Sequence, residues 1–261
     1  MPVDLQAVIL GIIEGLTEFL PVSSTGHLLL AMKFLHIDDQ QPSWEIFLYG
    51  IQVAAVLAIV IAFGKRIWRF LFSPLLFKLI VALLPAVVVG LLFDKPVEEH
   101  LHNPPSIAIA LVLGAALMVL IERRWRDESG NPIEAVTWMQ ALWIGVAQCV
   151  SIIPGTSRAM ATILGGLIVG LSPAAAVEFS FYLAAPTILG ATILKLHHYA
   201  SAMTPGDEKT LAIGSLFALV SAAIVVRWFL HFVARRRMTP FAIYRAALGV
   251  AVGIWWIAGR G

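Results

Sequence analysis

The stretch Glu14-Gly-Leu-Thr-Glu18-Phe-Leu-Pro-Val-Ser-Ser-Thr-Gly-His27 interrupts an otherwise apolar run over residues 5–36. Its proline, serines, threonine and glycine put polar backbone where a membrane crossing needs unbroken helix. Irregular backbone at membrane depth is tolerated only where protein or a watery cavity surrounds it. The run therefore reads as a re-entrant helical hairpin that enters and leaves on one side. A second apolar run, residues 135–170, is broken in the same way by Pro154-Gly-Thr-Ser-Arg158.

The rest of the chain fits that setting. Of its 261 residues, 59% are hydrophobic and 13% charged, and the mean hydropathy is +0.88. A soluble domain carries about a quarter charged residues, so that class is excluded. Six further runs have the roughly 17 to 25 residues needed to cross a bilayer as helices. They lie near 45–63, 75–93, 105–121, 175–194, 210–229 and 240–258. The expected fold is an all-α polytopic membrane protein, one membrane domain over 1–261, with six transmembrane helices and two re-entrant hairpins. A net charge of +2 is too balanced to suggest nucleic acid. Cys149 stands alone, which excludes intrachain disulfides and cysteine-ligated clusters. The N-terminus lacks a basic segment ahead of its apolar stretch and reads as mature protein.

Hairpins leave the parity of the spans unchanged, so the loops can be sorted by side. One side receives Lys65, Arg66, Arg69, Lys78, Arg123, Arg124, Arg126, Arg227, Arg235, Arg236 and Arg237. The other receives Lys33, Lys95, Lys195, Lys209 and Arg260. The excess of basic residues places the first side in the cytoplasm and both termini outside. The Arg235–Arg237 run then faces anionic membrane lipid, and the eight tryptophans mostly flank spans as an aromatic belt. His100, His102, His197 and His198 fall in the outer loops as solvated residues.

Self-comparison finds a repeat at an offset of about 133 residues. Gln6-Ala7 with Gly11 matches Gln140-Ala141 with Gly145, Pro21-x-Ser-Ser24 matches Pro154-x-Thr-Ser157, and Glu45 with Tyr49 matches Glu178 with Tyr182. Repeat one covers 1–125 and repeat two 134–261. Each half holds a hairpin and three spans. Three is odd, so the second half enters from the opposite face and the repeats are inverted. Such folds place their site where the broken elements meet near the midplane.

Several residue types converge there. Glu14 and Glu18 are four apart, so a helix turns both carboxylates the same way. They need a divalent cation, a shared proton or an arginine, and Arg158 is available. A new helix begins in the segment Pro21–His27, where Ser23, Ser24 or Thr25 can cap it, and its free N–H groups form an anion site. Gly155, Thr156 and Ser157 repeat that arrangement, and Arg158 adds a bidentate phosphate donor. Together these residues specify a phosphate or diphosphate site. Either Ser24 is a nucleophile activated by His27, or His27 acts with water; the sequence leaves both open. Glu45 and Glu178 divide evenly between a functional role and helix packing.

The first motif closely resembles the signature of the undecaprenyl-diphosphatase, or bacitracin-resistance, family. Pro154-Gly-Thr-Ser157-Arg158 resembles the family's second motif, and Glu178-Phe-Ser-Phe and Pro240-Phe-Ala-Ile-Tyr-Arg245 are further similar blocks. The resemblance implies an integral enzyme of the bacterial inner membrane. It removes one phosphate from undecaprenyl diphosphate, recycles the carrier for peptidoglycan precursors, and has its active site on the outer side. It also implies Glu14, Glu18, Ser24, His27 and Arg158 as catalytic or phosphate-binding residues and Mg2+ or Ca2+ as the ion, which Glu14 and Glu18 would hold; the two helix starts make Ser23, Thr25, Gly26, Gly155, Thr156 and Ser157 the expected substrate contacts. A homodimer is compatible with it. Two positions depart: Ala159-Met160 replaces the family's Ser-Gly, and Tyr49 stands where a Gln is usual. The competing reading is a carrier that moves a polyprenyl phosphate through the same anion site, and the Ser24 and His27 pair favours hydrolysis over it.

Overall fold

The computed structural model describes residues 1–38, 41–199 and 206–259. Prolines set several of the helix starts. Helices α3 (Pro42–Phe63), α6 (Pro104–Trp125) and α11 (Thr239–Ala258) carry a proline in their first two positions, and α9 (Pro173–Tyr199) begins on one. There the missing N–H has no intrahelical partner to lose and the fixed φ already suits a helix. With α5 (Leu75–Leu101) and α10 (Asp207–Val233), these are the six helices long and apolar enough to cross a membrane. The chain is a multi-pass membrane protein with six apolar spans, as its sequence leads one to expect.

Several spans run beyond the expected limits, and at the end of α6 the charged residues are paired. α6 continues past residue 121 through Glu122, whose carboxylate accepts the Met238 N–H at 2.7 Å and the Arg126 guanidinium at 3.1 Å. That knot fastens the end of α6 to the turn before α11. His100 lies in the last turn of α5, where it bonds the Pro96 carbonyl, and not in a loop. The side chains of His197 and His198 lie outside the described residues.

Five α-helices among the described residues are too short to span. α1 (Val3–Thr17) has 15 residues, and α2 (Ser24–Phe34), α7 (Trp138–Gln148) and α8 (Arg158–Ile168) have 11 each. At 1.5 Å per residue they reach roughly 16 to 23 Å against about 30 Å of hydrocarbon. α4 (Lys65–Leu71) is a basic turn of helix after α3 that the hydropathy does not show.

Small residues let the helices meet. A Cβ on Gly11 of α1 would stand 2.3 Å from the Gly214 carbonyl of α10, and one on Gly145 of α7 would stand 2.2 Å from the Ala82 carbonyl of α5. Lipid chains are as apolar as leucine, so close backbone approach replaces the hydrophobic drive between such helices. α3 and α9 pack on each other, and α6 packs on α11. The main core gathers Phe19, Phe181 and Phe229, with Phe19 edge-on to Phe181 at 5.5 Å. Outward faces carry large exposed apolar side chains such as Leu57, Leu91 and Ile224, which suit lipid contact.

Candidate active site

The two breaks lie side by side. Phe19, fully buried, pins the first break into the core and leaves Glu18 beside it facing a polar centre. Glu18 Oε2 accepts the Ser24 hydroxyl at 2.6 Å, and Glu18 Oε1 accepts Arg158 Nη2 at 2.9 Å. Arg158 is 140 residues away in sequence. Its Nη1 also donates to the Ser180 carbonyl of α9 at 3.3 Å. The side chains of Arg158 and Glu18 are only 11% and 9% exposed, so this ion pair is largely screened from water.

The caps are equivalent. Ser23 accepts the Gly26 N–H and Ser157 accepts the Met160 N–H, each three residues into its helix. Both serines have positive φ, 71° and 73°, a strained conformation for a residue with a Cβ. The Ser157 hydroxyl also reaches the Leu20 carbonyl at 3.4 Å and ties one break to the other. Gly155 needs to be glycine, with φ of 91° and a Cβ position 2.8 Å from the Ile107 carbonyl. Gly26 and Thr156 are buried, while Thr25 is exposed at the start of α2.

Glu14 is fully buried, and neither of its carboxylate oxygens has a hydrogen-bond partner. The Arg158 Nε is buried and unpartnered as well. Buried polar atoms are rarely left without a partner, so these mark a place where a ligand can be accommodated. Two carboxylates one helical turn apart, beside a hydroxyl, form the hard oxygen set that Mg2+ or Ca2+ prefers. The residues fit such an ion if substrate oxygens and water complete the shell. Among the described residues no group of three or more His, Cys, Asp or Glu side chains gathers to hold a metal by itself.

His27 does not meet Ser24. Its Nδ1 lies 2.7 Å from the Ser23 carbonyl and its Nε2 lies 2.6 Å from the Tyr244 hydroxyl of α11. Ser24 is committed to Glu18 instead, so the geometry supplies a hydroxyl–carboxylate pair where the sequence offered a hydroxyl–imidazole one.

Two residues escaped the sequence-based site. Arg245, fully buried, donates to the carbonyls of Pro21, Ala110, Leu111, Gly155 and Thr156 at 3.0 to 3.1 Å. It holds both breaks from behind, in space that Gly114 leaves open. Tyr244 is the other. Their position inside an apolar span was the available signal, since ionisable and hydrogen-bonding groups there need partners. Met160, one of the departures from the family pattern, puts its sulfur 2.9 Å from Arg245 Nη1 and so lines this clamp. Glu178 bonds the Tyr182 hydroxyl at 2.7 Å and Arg66 at 3.0 Å, away from this centre.

Fold and site together define a polytopic membrane protein built around a buried hydroxyl, carboxylate and guanidinium cluster. The sequence model described as Bacitracin resistance protein BacA matches residues 7–251. The undecaprenyl-diphosphatase of Thermoanaerobacter pseudethanolicus (strain ATCC 33223 / 39E) is 42% identical, with 96% of each chain aligned. That of Bordetella avium (strain 197N) is 40% identical over 96% of each, and that of Cupriavidus necator (strain ATCC 17699 / DSM 428 / KCTC 22496 / NCIMB 10442 / H16 / Stanier 337) is 41% identical over 95% of this chain and 94% of its own. The chain belongs to the BacA family.

Proposed function

We propose that this protein hydrolyses undecaprenyl diphosphate to undecaprenyl phosphate and inorganic phosphate, as the names of its relatives indicate. The observation that carries the chemistry is Glu18, which binds the Ser24 hydroxyl with one oxygen and Arg158 with the other. Glu18 takes the Ser24 proton as Ser24 Oγ attacks the terminal phosphorus. The anhydride P–O bond breaks and undecaprenyl phosphate leaves. A water then attacks the phosphoserine, inorganic phosphate departs, and Ser24 recovers its proton from Glu18. Arg158 and the N-terminal N–H groups of α2 and α8 hold the phosphoryl oxygens, with Ser23, Thr25, Gly26, Gly155, Thr156 and Ser157 shaping that cradle. Glu14 and Glu18 would hold the divalent ion, which when bound neutralises charge on the diphosphate.

The architecture suited to this task is an inverted repeat of two re-entrant hairpins. α1 and α2 correspond to α7 and α8, and α3, α5 and α6 to α9, α10 and α11. Three features support the inversion. Ser23 and Ser157 share one backbone conformation. The starts of α1 and α10 are joined by Asp4 and Lys209 at 2.6 Å, while Lys78, near the start of α5, bonds the Val136 carbonyl just before α7. With α5 and α10 crossing in opposite directions, α1 and α7 enter from opposite faces.

The second half is chemically reduced. At the offset that relates Ser23 to Ser157, Glu14, Glu18 and His27 correspond to Gln148, Ile152 and Ala161. The reactive side chains therefore belong to the first hairpin, and the site opens on the side that hairpin enters. Basic loops on the opposite side make that the outer face of the bacterial inner membrane. The carrier alternative has no specific observation in its favour.

The test is phosphate release from undecaprenyl diphosphate by purified protein in detergent, with Mg2+, with Ca2+ and with EDTA. Metal-dependent release by the wild type, cut at least 100-fold in Glu18→Gln, Ser24→Ala and Arg158→Ala, is the expected result. A folded wild type that releases no phosphate overturns the reading, and full activity in EDTA removes the metal from it.

A further inference from the structure

His27 is held by two residues, Ser23 and Tyr244. The Ser23 carbonyl can only accept, so the Nδ1 that touches it at 2.7 Å carries a hydrogen. In the neutral ring the lone pair is then on Nε2. That lone pair faces the Tyr244 hydroxyl at 2.6 Å, so the phenol donates and the imidazole accepts. The two rings also stack, with centroids 5.5 Å apart and planes 13° from parallel. The ring has no second basic nitrogen to offer, and Ser24 is bound to Glu18.

Any proton that His27 accepts must therefore come through the hydroxyl of Tyr244. We infer that Tyr244 is a further catalytic residue, the relay between the hydrolytic water and His27. The inference rests on the proposed phosphatase reaction and concerns its second half, the cleavage of phosphoserine. The water donates a hydrogen bond to Tyr244 Oη. As the water oxygen attacks phosphorus, its proton passes to Oη while the phenol proton passes to Nε2. The P–Oγ bond breaks, Tyr244 ends neutral, and His27 holds the added proton until the site resets. Tyr244 gains no net charge at any stage, which suits a phenol in a membrane protein.

The position of Tyr244 fits this role. It is about half exposed on the last span, and its hydroxyl meets the imidazole one helical turn beyond Ser24. The next residue, Arg245, clamps both hairpin breaks and so fixes where α11 presents the phenol.

Tyr244→Phe keeps the ring and removes the relay. Its kcat is expected to fall at least tenfold, with KM within about twofold and the thermal midpoint nearly unchanged. The solvent deuterium isotope effect on kcat falls too, because the wild type moves two protons in one step. Histidine-selective 15N NMR, with His27 assigned by its absence in His27→Ala, should show Nδ1 protonated and Nε2 accepting a hydrogen bond. In Tyr244→Phe the Nε2 signal moves toward that of a free imidazole nitrogen. A kcat within twofold of wild type overturns the relay, and so does an Nε2 signal that does not move. The NMR measurement needs no turnover. An inactive wild type therefore refutes the phosphatase reading without deciding the contact, and an active wild type with an indifferent Tyr244→Phe refutes the relay alone.

Discussion

At the scale of single residues, Arg245 shows how much one side chain organises. Its guanidinium makes no ion pair among the described residues and spends its N–H groups on five carbonyls from three stretches of chain. Replacing it with methionine strands those carbonyls in the interior, where each unsatisfied group costs about 1 to 3 kcal/mol. Arg245→Met is expected to lower the thermal midpoint in detergent sharply and to abolish phosphate release. Gly114→Ala tests the same clamp more gently. The added Cβ would sit 2.3 Å from Arg245 Nη2, so a loss of about 1 to 3 kcal/mol is expected. A midpoint unchanged in Gly114→Ala would show that the guanidinium has room to move.

At the scale of elements, backbone contact decides which helices pair. Gly11 and Gly145 occupy corresponding places on α1 and α7, each against a neighbouring carbonyl. Gly11→Leu and Gly145→Leu should each give protein that aggregates on size-exclusion chromatography. Gly90→Leu, at a position with open space around it, should elute as wild type. The caps act more locally. Ser157→Ala removes one bond to the first turn of α8 and should cost about 1 kcal/mol, read as a small drop in thermal midpoint. Because Ser157 also bonds the Leu20 carbonyl, phosphate release should fall along with stability.

At the scale of the whole molecule, the orientation proposed from the six spans and the asymmetric basic loops can be labelled. In a Cys149→Ser background, His102→Cys on intact cells should react with a membrane-impermeant maleimide. Arg236→Cys should react only after permeabilisation, and the opposite pattern would reverse the proposed topology. The same asymmetry bears on the proposed catalysis, since the carboxylates, hydroxyl and imidazole come from the first break and its flanks and the second contributes Arg158 and Ser157.

The six spans, the two breaks and the residue types around Glu14–His27 were legible in the sequence. Each depends on local chemistry: twenty or so apolar residues must be helical in lipid, and proline with serines must interrupt them. The family was legible as well, because its first motif is contiguous. What the sequence left open was pairing. It left His27 either as the partner of Ser24 or as a group acting with water, whereas the fold brings Glu18 to Ser24 and gives His27 to Tyr244, 217 residues away. It left Arg245 as an unplaced charge, and the fold made it the joint between the breaks. Hydropathy counts residues along the chain, but a hydrogen bond depends on which atoms of distant helices approach within about 3 Å. That approach is set by glycine contacts and helix crossings, so only the tertiary structure decided the pairings of the site.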